Sequence, residues 1–111
     1  MKVLTGVDLV DIREFKNSIR NGGENFLQKI FTKSELKNPD SAHLAGLFAA
    51  KEAALKALSL KPGTWTSIEI TSVKNGRPKI KLPPTSKKTS SHDLSISHSG
   101  DYAIAIFTAI I

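Results

Sequence analysis

The sequence predicts an α+β fold, and three features of its 111 residues lead to that prediction. An apolar strand pattern covers residues 3–12, one long helical pattern covers residues 41–60, and residues 67–110 are mostly strand patterns joined by turns. Strands grouped after a block of helices are typical of α+β domains rather than of alternating strand–helix units. The length fits a single domain, residues 1–111, with one modest core.

The opening strand carries a carboxylate among apolar residues. Residues 3–12 are apolar on both alternating faces, which predicts a strand that is covered on two sides. Asp8 shares one face with Leu4 and Val10, where a carboxylate is costly unless it is compensated. Gly6, two residues earlier, predicts close approach of another backbone or of a ligand. Asp8 could instead cap a turn or bind backbone amides, and the pattern leaves both interpretations open.

Short helices are predicted between this strand and the long helix. They cover residues 13–20 and residues 24–31, separated by an Asn-Gly-Gly break, and a brief third helix begins at residue 32. Thr32 and Glu35 have the spacing of a capping box. Asp40 or Ser41 then caps the long helix, which should end near Leu60 ahead of a Pro-Gly pair.

The long helix contains charges where a core helix should have none. Its apolar arc consists of Leu44, Leu47, Phe48, Leu55 and Leu58, and alanines fill the other sides. Such a helix is normally buried nearly all round. Lys51 falls inside the arc, and Glu52 and Lys56 lie at its edge. Buried charges are rare unless they are paired or functional. The alternative is an ordinary exposed ion pair between Glu52 and Lys56, four residues apart.

The second half is predicted to be an antiparallel meander. Strand patterns cover residues 67–73, 79–82, 94–98 and 102–110, and a polar loop covers residues 83–91. Asn75-Gly76 is a strong hairpin signal, and Ser99-Gly100-Asp101 predicts a second tight turn.

The composition limits the class of protein. Lys and Arg number 16 against 10 Asp and Glu, and the net charge of +6 favours an anionic partner: nucleic acid, a phosphorylated small molecule or an acidic protein. The absence of Cys excludes disulfides and thiolate metal sites. No basic-then-apolar leader and no run of about 18 apolar residues is present, so a cytoplasmic protein without a membrane span is expected.

Asp8 and Glu52 are the acids that can carry chemistry. Mg²⁺ typically takes one or two protein carboxylates together with substrate phosphates and water. If the two acids converge near Lys51 or Lys56, they suit phosphoryl-group chemistry, in which the ammonium neutralises developing charge. A glycosidase-like acid pair is disfavoured in a basic chain with few aromatic residues.

Two further positions have two interpretations each. His98, between two serines and beside a glycine, could hold a phosphate or relay a proton, or it could be a hydrogen-bonded turn residue. Arg77 follows the glycine of the predicted hairpin, so it could reach an anion or be an ordinary turn residue.

Several stretches together resemble the 4′-phosphopantetheinyl transferases of the holo-acyl-carrier-protein synthase type. They are GVDLVDI at residues 6–12, FAAKEAALKAL at 48–58, GRP at 76–78 and LSISHS at 94–99, in the same order and spacing as in that family. The resemblance extends over nearly the whole chain, and the combination is far more specific than any one stretch.

This resemblance implies transfer of the phosphopantetheine arm of coenzyme A to a serine of an apo acyl carrier protein, with release of adenosine 3′,5′-bisphosphate. It implies Mg²⁺ bound by Asp8 and Glu52 and catalysis by both with Lys56. Coenzyme A contacts are implied for Lys51, Lys56, Gly76, Arg77, Pro78 and His98. It also implies a homotrimer with active sites between subunits, and neither nucleic acid nor membrane as a partner.

The chain departs from the family pattern at three places. Glu14 and Leu47 stand where the family usually has Arg, and residues 83–91 are too rich in Pro and Ser for the helix expected there. These departures keep one alternative open: a non-catalytic or weakly active paralogue that binds a carrier protein or coenzyme A. The net charge alone leaves a second, a small nucleic-acid-binding domain.

Overall fold

A computed structural model describes residues 1–72 and 76–111 and confirms the predicted mixture of helices and strands. In chain order, the described elements are β1 (Val3–Asp11), α1 (Ile12–Ile30), α2 (Ser41–Leu58), β2 (Glu69–Ser72), β3 (Pro78–Lys81), β4 (Ser91–Ser99) and β5 (Tyr102–Ile110). Short 3₁₀ turns cover Glu35–Lys37 and Trp65–Ser67. No helix in these two described stretches combines the length and apolar character needed to cross a bilayer.

The larger sheet has three antiparallel strands in the order β1-β5-β4, so β5 is central. Asp8 of β1 stands opposite Ala105 of β5, and Ser99 of β4 stands opposite Tyr102. The turn between β4 and β5 contains Gly100 at φ 56°, a left-handed conformation that glycine adopts without strain. This is the tight turn that the sequence predicted at residues 99–101.

A second, two-stranded sheet pairs β2 with β3 from Glu69 opposite Lys81 to Ser72 opposite Pro78. Strand β2 begins at Glu69, two residues later than predicted, because residues 65–67 form a 3₁₀ turn. Asn75, the first residue of the predicted hairpin turn, lies outside the described residues. The polar loop at residues 83–91 contains no helix up to the start of β4, as predicted.

Helix α2 packs against the three-stranded sheet at a distance that only glycine permits. A Cβ atom placed on Gly6 of β1 would lie 2.0 Å from the carbonyl oxygen of Ala53 and 3.0 Å from the amide nitrogen of Ala57. Strand and helix backbones are therefore in direct contact, as the sequence predicted for Gly6. Asp8 is two residues further along the same face of β1, so this contact holds its side chain against the helix.

The opposite face of the sheet corrects the prediction of a strand covered on both sides. Val7 is 50% exposed and Leu9 is 62% exposed, because this chain supplies only one layer of helix. In β5, Ile104 stands opposite Leu9 and Ile106 opposite Val7, and both are exposed. The open sheet face, as we name it, comprises Val3, Val7, Leu9, Tyr102, Ile104 and Ile106.

The two short helices predicted before residue 32 form a single segment, α1, with a break inside it. Gly23 has φ 59° and ψ −147°, which interrupts the helix at the predicted Asn-Gly-Gly stretch. The side chain of Asp11 caps the start by accepting from the amides of Arg13 and Glu14. Phe15 on the inner side packs against three other phenylalanine rings and anchors α1 to the core.

The capping box and the cap of the long helix form as predicted. Thr32 N donates to Glu35 Oε1 at 2.9 Å, and Glu35 N donates to Thr32 Oγ1 at 3.3 Å, although a 3₁₀ turn follows instead of an α-helix. Asp40 accepts from the amide of His43 and caps α2. The helix ends at Leu58, two residues before the predicted end, with Ser59 in a left-handed conformation.

Candidate active site

Asp8 and Glu52 line one cavity of about 290 Å³ between β1, α1 and α2. Asp11 and Glu14 line it as well, so four carboxylates surround the space that we name the acidic cavity. The predicted convergence of the strand aspartate and the helix glutamate is therefore found. It follows from the close contact at Gly6, which places Asp8 beside the helical turn that carries Glu52.

Lys56 lies next to these acids because it contacts strand β1, not because of a contact within α2. Its ammonium donates to Asp8 Oδ1 at 3.0 Å and to the carbonyl oxygen of Val7 at 3.0 Å. Across the described ranges, its ion pair is with Asp8 on the neighbouring strand, rather than with Glu52 four residues earlier. The interpretation of Glu52 and Lys56 as an ordinary surface pair is therefore wrong, and Asp8 is compensated by a lysine rather than by capping a turn.

The environment of Glu52 opposes its negative charge. Burial is the main cause that raises the pKa of Glu52, and the negative charge of Asp8 adds to it. The indole of Trp65 and the ammonium of Lys56 act in the opposite direction. Two carboxylates that repel each other in this way would be stabilised by a cation between them.

The residues present fit Mg²⁺. Asp8 and Glu52 supply the hard, anionic oxygen ligands that this ion prefers, and their repulsion is relieved when a cation binds. No group of three or more acidic or His side chains is arranged to hold a metal within residues 1–72 and 76–111. If these two acids bind the ion, water or substrate phosphates would have to complete its coordination. The metal-ligand role of the two acids stays a prediction.

A larger cavity of about 520 Å³ lies beside the first half of α2, and we name it the large groove. Three of the predicted coenzyme A contacts, Gly76, Pro78 and His98, line it together. Lys37 and His43 add positively charged or hydrogen-bonding groups to its wall. The groove therefore has the size and the donors for a phosphorylated ligand.

His98 is held in place at the wall of the large groove. Its Nε2 donates to the carbonyl oxygen of Ala42 at 2.9 Å, and Nδ1 takes no part in this bond. A Cβ atom on Gly46 would lie 2.9 Å from that Nε2, so the glycine makes room for the ring. The residue is both a hydrogen-bonded side chain and a groove residue, so neither of the two predicted interpretations excludes the other.

Arg77 is not brought to the large groove with its neighbours. Its guanidinium pairs with the carboxylate of Asp93, and it lines two small cavities beside β4 instead. Gly76 and Pro78 line the large groove, whereas the guanidinium of Arg77 lies beside β4. The predicted coenzyme A contact of Arg77 does not fit this position.

Lys51 also corrects a prediction, because its side chain is fully buried. Its ammonium donates to Glu35 Oε1 at 2.7 Å and to the carbonyl oxygens of Ile30 and Trp65 at 2.7 and 3.0 Å. All three N–H groups are used, so none remains for coenzyme A. Burial lowers the pKa of Lys51, and the hydrogen bond and negative charge of Glu35 raise it.

Glu35 and Trp65 are the residues near the site that sequence reasoning missed. Glu35 is buried and also accepts from the amides of Thr32 and Ile70, so it joins three segments of the chain. The signal for Glu35 was present, because a buried lysine requires a buried acid and Glu35 had already been identified in a capping box. Trp65 belongs to a stretch, residues 65–70, that resembles the family, but no role was predicted for it because a lone aromatic residue is typical of an ordinary core.

Comparison with known proteins decides the family. A family model described as the 4′-phosphopantetheinyl transferase superfamily matches residues 5–107. The chain belongs to this superfamily. The match covers both the acidic cavity and the large groove of the transferase, and it confirms the resemblance found in the sequence.

Curated relatives and solved structures agree. The holo-[acyl-carrier-protein] synthase of Thermodesulfovibrio yellowstonii is 40% identical over 106 residues, covering 90% of this chain and 91% of its own. That of Chlorobaculum tepidum is 41% identical, covering 91% and 92%. The Helicobacter pylori holo-[acyl-carrier-protein] synthase in complex with coenzyme A has a TM-score of 0.82 at 29% identity, covering 96% of this chain and 99% of that one.

A coenzyme A complex of the synthase from Chronobacterium ammoniagenes has a TM-score of 0.81 at 29% identity, covering 99% of this chain and 98% of that one. These similarities confirm the predicted α+β fold class. They also confirm that the transferase is an enzyme of the holo-acyl-carrier-protein synthase type.

Proposed function

We propose that the protein transfers the 4′-phosphopantetheine group of coenzyme A to a serine of an apo acyl carrier protein, with Mg²⁺, and releases adenosine 3′,5′-bisphosphate. The observation that carries the proposal is the meeting of Asp8 and Glu52 at one cavity, with the ammonium of Lys56 bonded to Asp8. The names of the relatives and the coenzyme A in two similar structures support the choice of substrates.

The transfer forms one phosphorus–oxygen bond and breaks another. The serine hydroxyl oxygen attacks the phosphorus that bears the pantetheine arm, and the bond from that phosphorus to the bridging oxygen of the pyrophosphate breaks. Asp8 and Glu52 would hold Mg²⁺, which supplies neutralisation of the pyrophosphate charge. The ammonium of Lys56, held by Asp8, provides a further positive charge for the leaving phosphate.

The serine proton needs an acceptor. Glu52 is a carboxylate of this cavity whose pKa is raised by burial, which makes it a stronger proton acceptor than an exposed carboxylate. A water molecule oriented by the same carboxylates is the other route. In either route, the group that accepts the proton lies at the acidic cavity, and the roles of Asp8 and Lys56 are the same.

The large groove is our site for the adenosine bisphosphate end of coenzyme A. His98, His43 and Lys37 face it and can bind phosphate oxygens. Leu47 lines this groove and the next residue, Phe48, lines the acidic cavity, so α2 stands between the two sites within one chain. The net charge of +6 suits an acidic carrier protein as the second substrate.

Mass spectrometry of the carrier protein tests this function. After incubation with coenzyme A and Mg²⁺, an apo acyl carrier protein should gain the mass of one phosphopantetheine, and a chelator should abolish the gain. Replacement of the acceptor serine by alanine is the control, since it removes the nucleophile. Mg²⁺-independent binding of coenzyme A, without a mass gain on any carrier, would favour the paralogue indicated by Glu14 and Leu47.

We also propose a homotrimer whose active sites lie between subunits, in the cytoplasm. The open sheet face supports it, because contiguous exposed apolar patches mark interaction surfaces. Leu9 belongs to this face and also lines the acidic cavity, so a subunit that covers the face would also border the site. Each active site would then consist of two parts from neighbouring subunits: the large groove of one chain and the acidic cavity of the next.

Substitution at the open sheet face should separate the subunits. Ile106→Lys puts a charge in the middle of this face and is expected to yield monomers in sedimentation velocity experiments, together with loss of transfer. Thr85→Lys adds the same charge in the exposed polar loop and should leave the assembly unchanged. A wild-type protein that sediments as a monomer at the concentrations used for the assay would contradict the trimer.

A further inference from the structure

The single tryptophan of this chain has a buried polar group without a hydrogen-bond partner. The indole Nε1 of Trp65 is the one such side-chain atom in the described part of the chain. An unpaired buried N–H group loses its hydrogen bond to water and gains none in return, so a residue that carries one needs a physical reason. Phenylalanine would supply an aromatic ring at this position without an N–H group to satisfy.

Trp65 is held from two sides by the helical turn that carries Glu52. Its ring lies against the ring of Phe48, with 6.0 Å between centroids, and Phe48 is one turn before Glu52 on α2. Its carbonyl oxygen accepts from the buried ammonium of Lys51, the residue next to Glu52. These two contacts fix the orientation of the indole relative to the acidic cavity.

The contacts with Phe48 and Lys51 place the free N–H group beside the helical turn that carries Glu52. The indole lowers the pKa of Glu52 against the effects of burial and of Asp8, as a donor facing a carboxylate does. The two groups do not reach hydrogen-bond geometry in the structure. Glu52 is only partly buried, so rotation about its side-chain torsions is the movement that would close the bond.

We propose that Trp65 is a positioning residue: its indole N–H donates a hydrogen bond to the carboxylate of Glu52 and so determines which oxygen points into the acidic cavity. The inference rests on the proposed function of Glu52. One oxygen is then held by the indole, and the other is left for a cation or a proton. A partner of this kind orients a ligating carboxylate and commonly changes metal affinity or activity by 10–100-fold when removed.

The first test observes the hydrogen bond without any turnover. Since the chain has one Trp, its indole gives a single cross-peak in a ¹H–¹⁵N spectrum. In the protein alone, Glu52→Gln should move the indole proton upfield and Glu52→Ala should move it further, because a charged acceptor is replaced by a neutral one and then by none. Glu14→Gln removes a charge from the same cavity and should leave the peak in place.

The second test removes the N–H group and keeps the ring packing. Trp65→Phe retains an aromatic ring next to Phe48 and the carbonyl oxygen that accepts from Lys51. It is expected to weaken Mg²⁺ binding in calorimetry and to lower kcat by roughly 10-fold, with KM for coenzyme A unchanged. A purely structural Trp65 would instead lower the unfolding midpoint and leave the Mg²⁺ affinity of the folded protein unchanged.

The two proposals can fail separately. An indole peak that moves no more in Glu52→Ala than in Glu14→Gln overturns the role of Trp65, whatever the enzyme transfers. Full Mg²⁺ affinity in Trp65→Phe overturns it as well. Absence of transfer in the wild-type protein, with the indole shift present, would instead remove the proposed reaction and leave the hydrogen bond established.

Discussion

Glu52→Gln is expected to reduce phosphopantetheine transfer by roughly 10²–10³-fold, with the fold intact. The substitution keeps the size of the side chain and removes only its negative charge. Asp8→Asn should reduce transfer by a similar factor. Both carboxylates would bind the same cation, so the loss of either charge lowers the affinity of the site for that cation. Glu52 already experiences the negative charge of Asp8, and an amide at either position removes the repulsion that a cation relieves.

The rate is measured as the mass gain of the carrier protein with time, over a series of Mg²⁺ concentrations. Both variants should need more Mg²⁺ for half of their maximal rate. Glu14→Gln is the matched control, since it removes one charge at the rim of the same cavity and should keep most of the activity. A wild-type rate at wild-type Mg²⁺ concentrations in Glu52→Gln or Asp8→Asn would show that these residues are not the ligands.

Lys51→Met is expected to lower the free energy of unfolding by about 3–5 kcal/mol, a large part of the 5–15 kcal/mol that is typical of a domain. Methionine fills most of the space of the lysine stem but leaves the buried carboxylate of Glu35 without its counter-charge. It also leaves the carbonyl oxygens of Ile30 and Trp65 without a donor. The measurement is denaturant unfolding at one fixed protein concentration, because assembly would shift the midpoint.

The same substitution one and a half turns later is the control. The side chain of Lys56 is 56% exposed, and an exposed pair contributes about 0–1 kcal/mol. Lys56→Met should therefore leave stability nearly unchanged and reduce transfer, the reverse of Lys51→Met. Adding Glu35→Gln to Lys51→Met should restore part of the stability, since the stranded charge is gone while an oxygen acceptor remains. Equal destabilisation by the two Lys→Met variants would contradict the structural role of Lys51.

Local patterns predicted most of the elements. Strand β5 begins and ends where its alternation predicted, and the capping box at Thr32 forms the reciprocal hydrogen bonds that its spacing implied. The kink at Gly23 was predicted as a break between two helices. These features depend on interactions between residues a few positions apart, so a single sequence contains the information for them.

The partners of the charged residues followed from tertiary structure. Both Lys51 and Lys56 were predicted at the ligand, yet one lies in the core with Glu35 and the other beside Asp8 at the cavity. The two lysines are five positions apart on one helix. Because each residue is rotated by about 100° from the one before, their side chains point in different directions and contact different parts of the fold. The pairing of Arg77 with Asp93 is likewise invisible to any local pattern.

The amino-acid sequence by itself therefore determined the element types, the family and the two acids of the candidate site. The tertiary structure decided that Gly6 lets β1 contact α2, that Asp8 and Glu52 consequently share a cavity, and that Lys51 and Arg77 point elsewhere. The physical reason is the separation along the sequence over which each interaction acts. Periodicity and capping involve residues a few positions apart, whereas a contact between residues 8 and 56 depends on how closely a strand and a helix can pack.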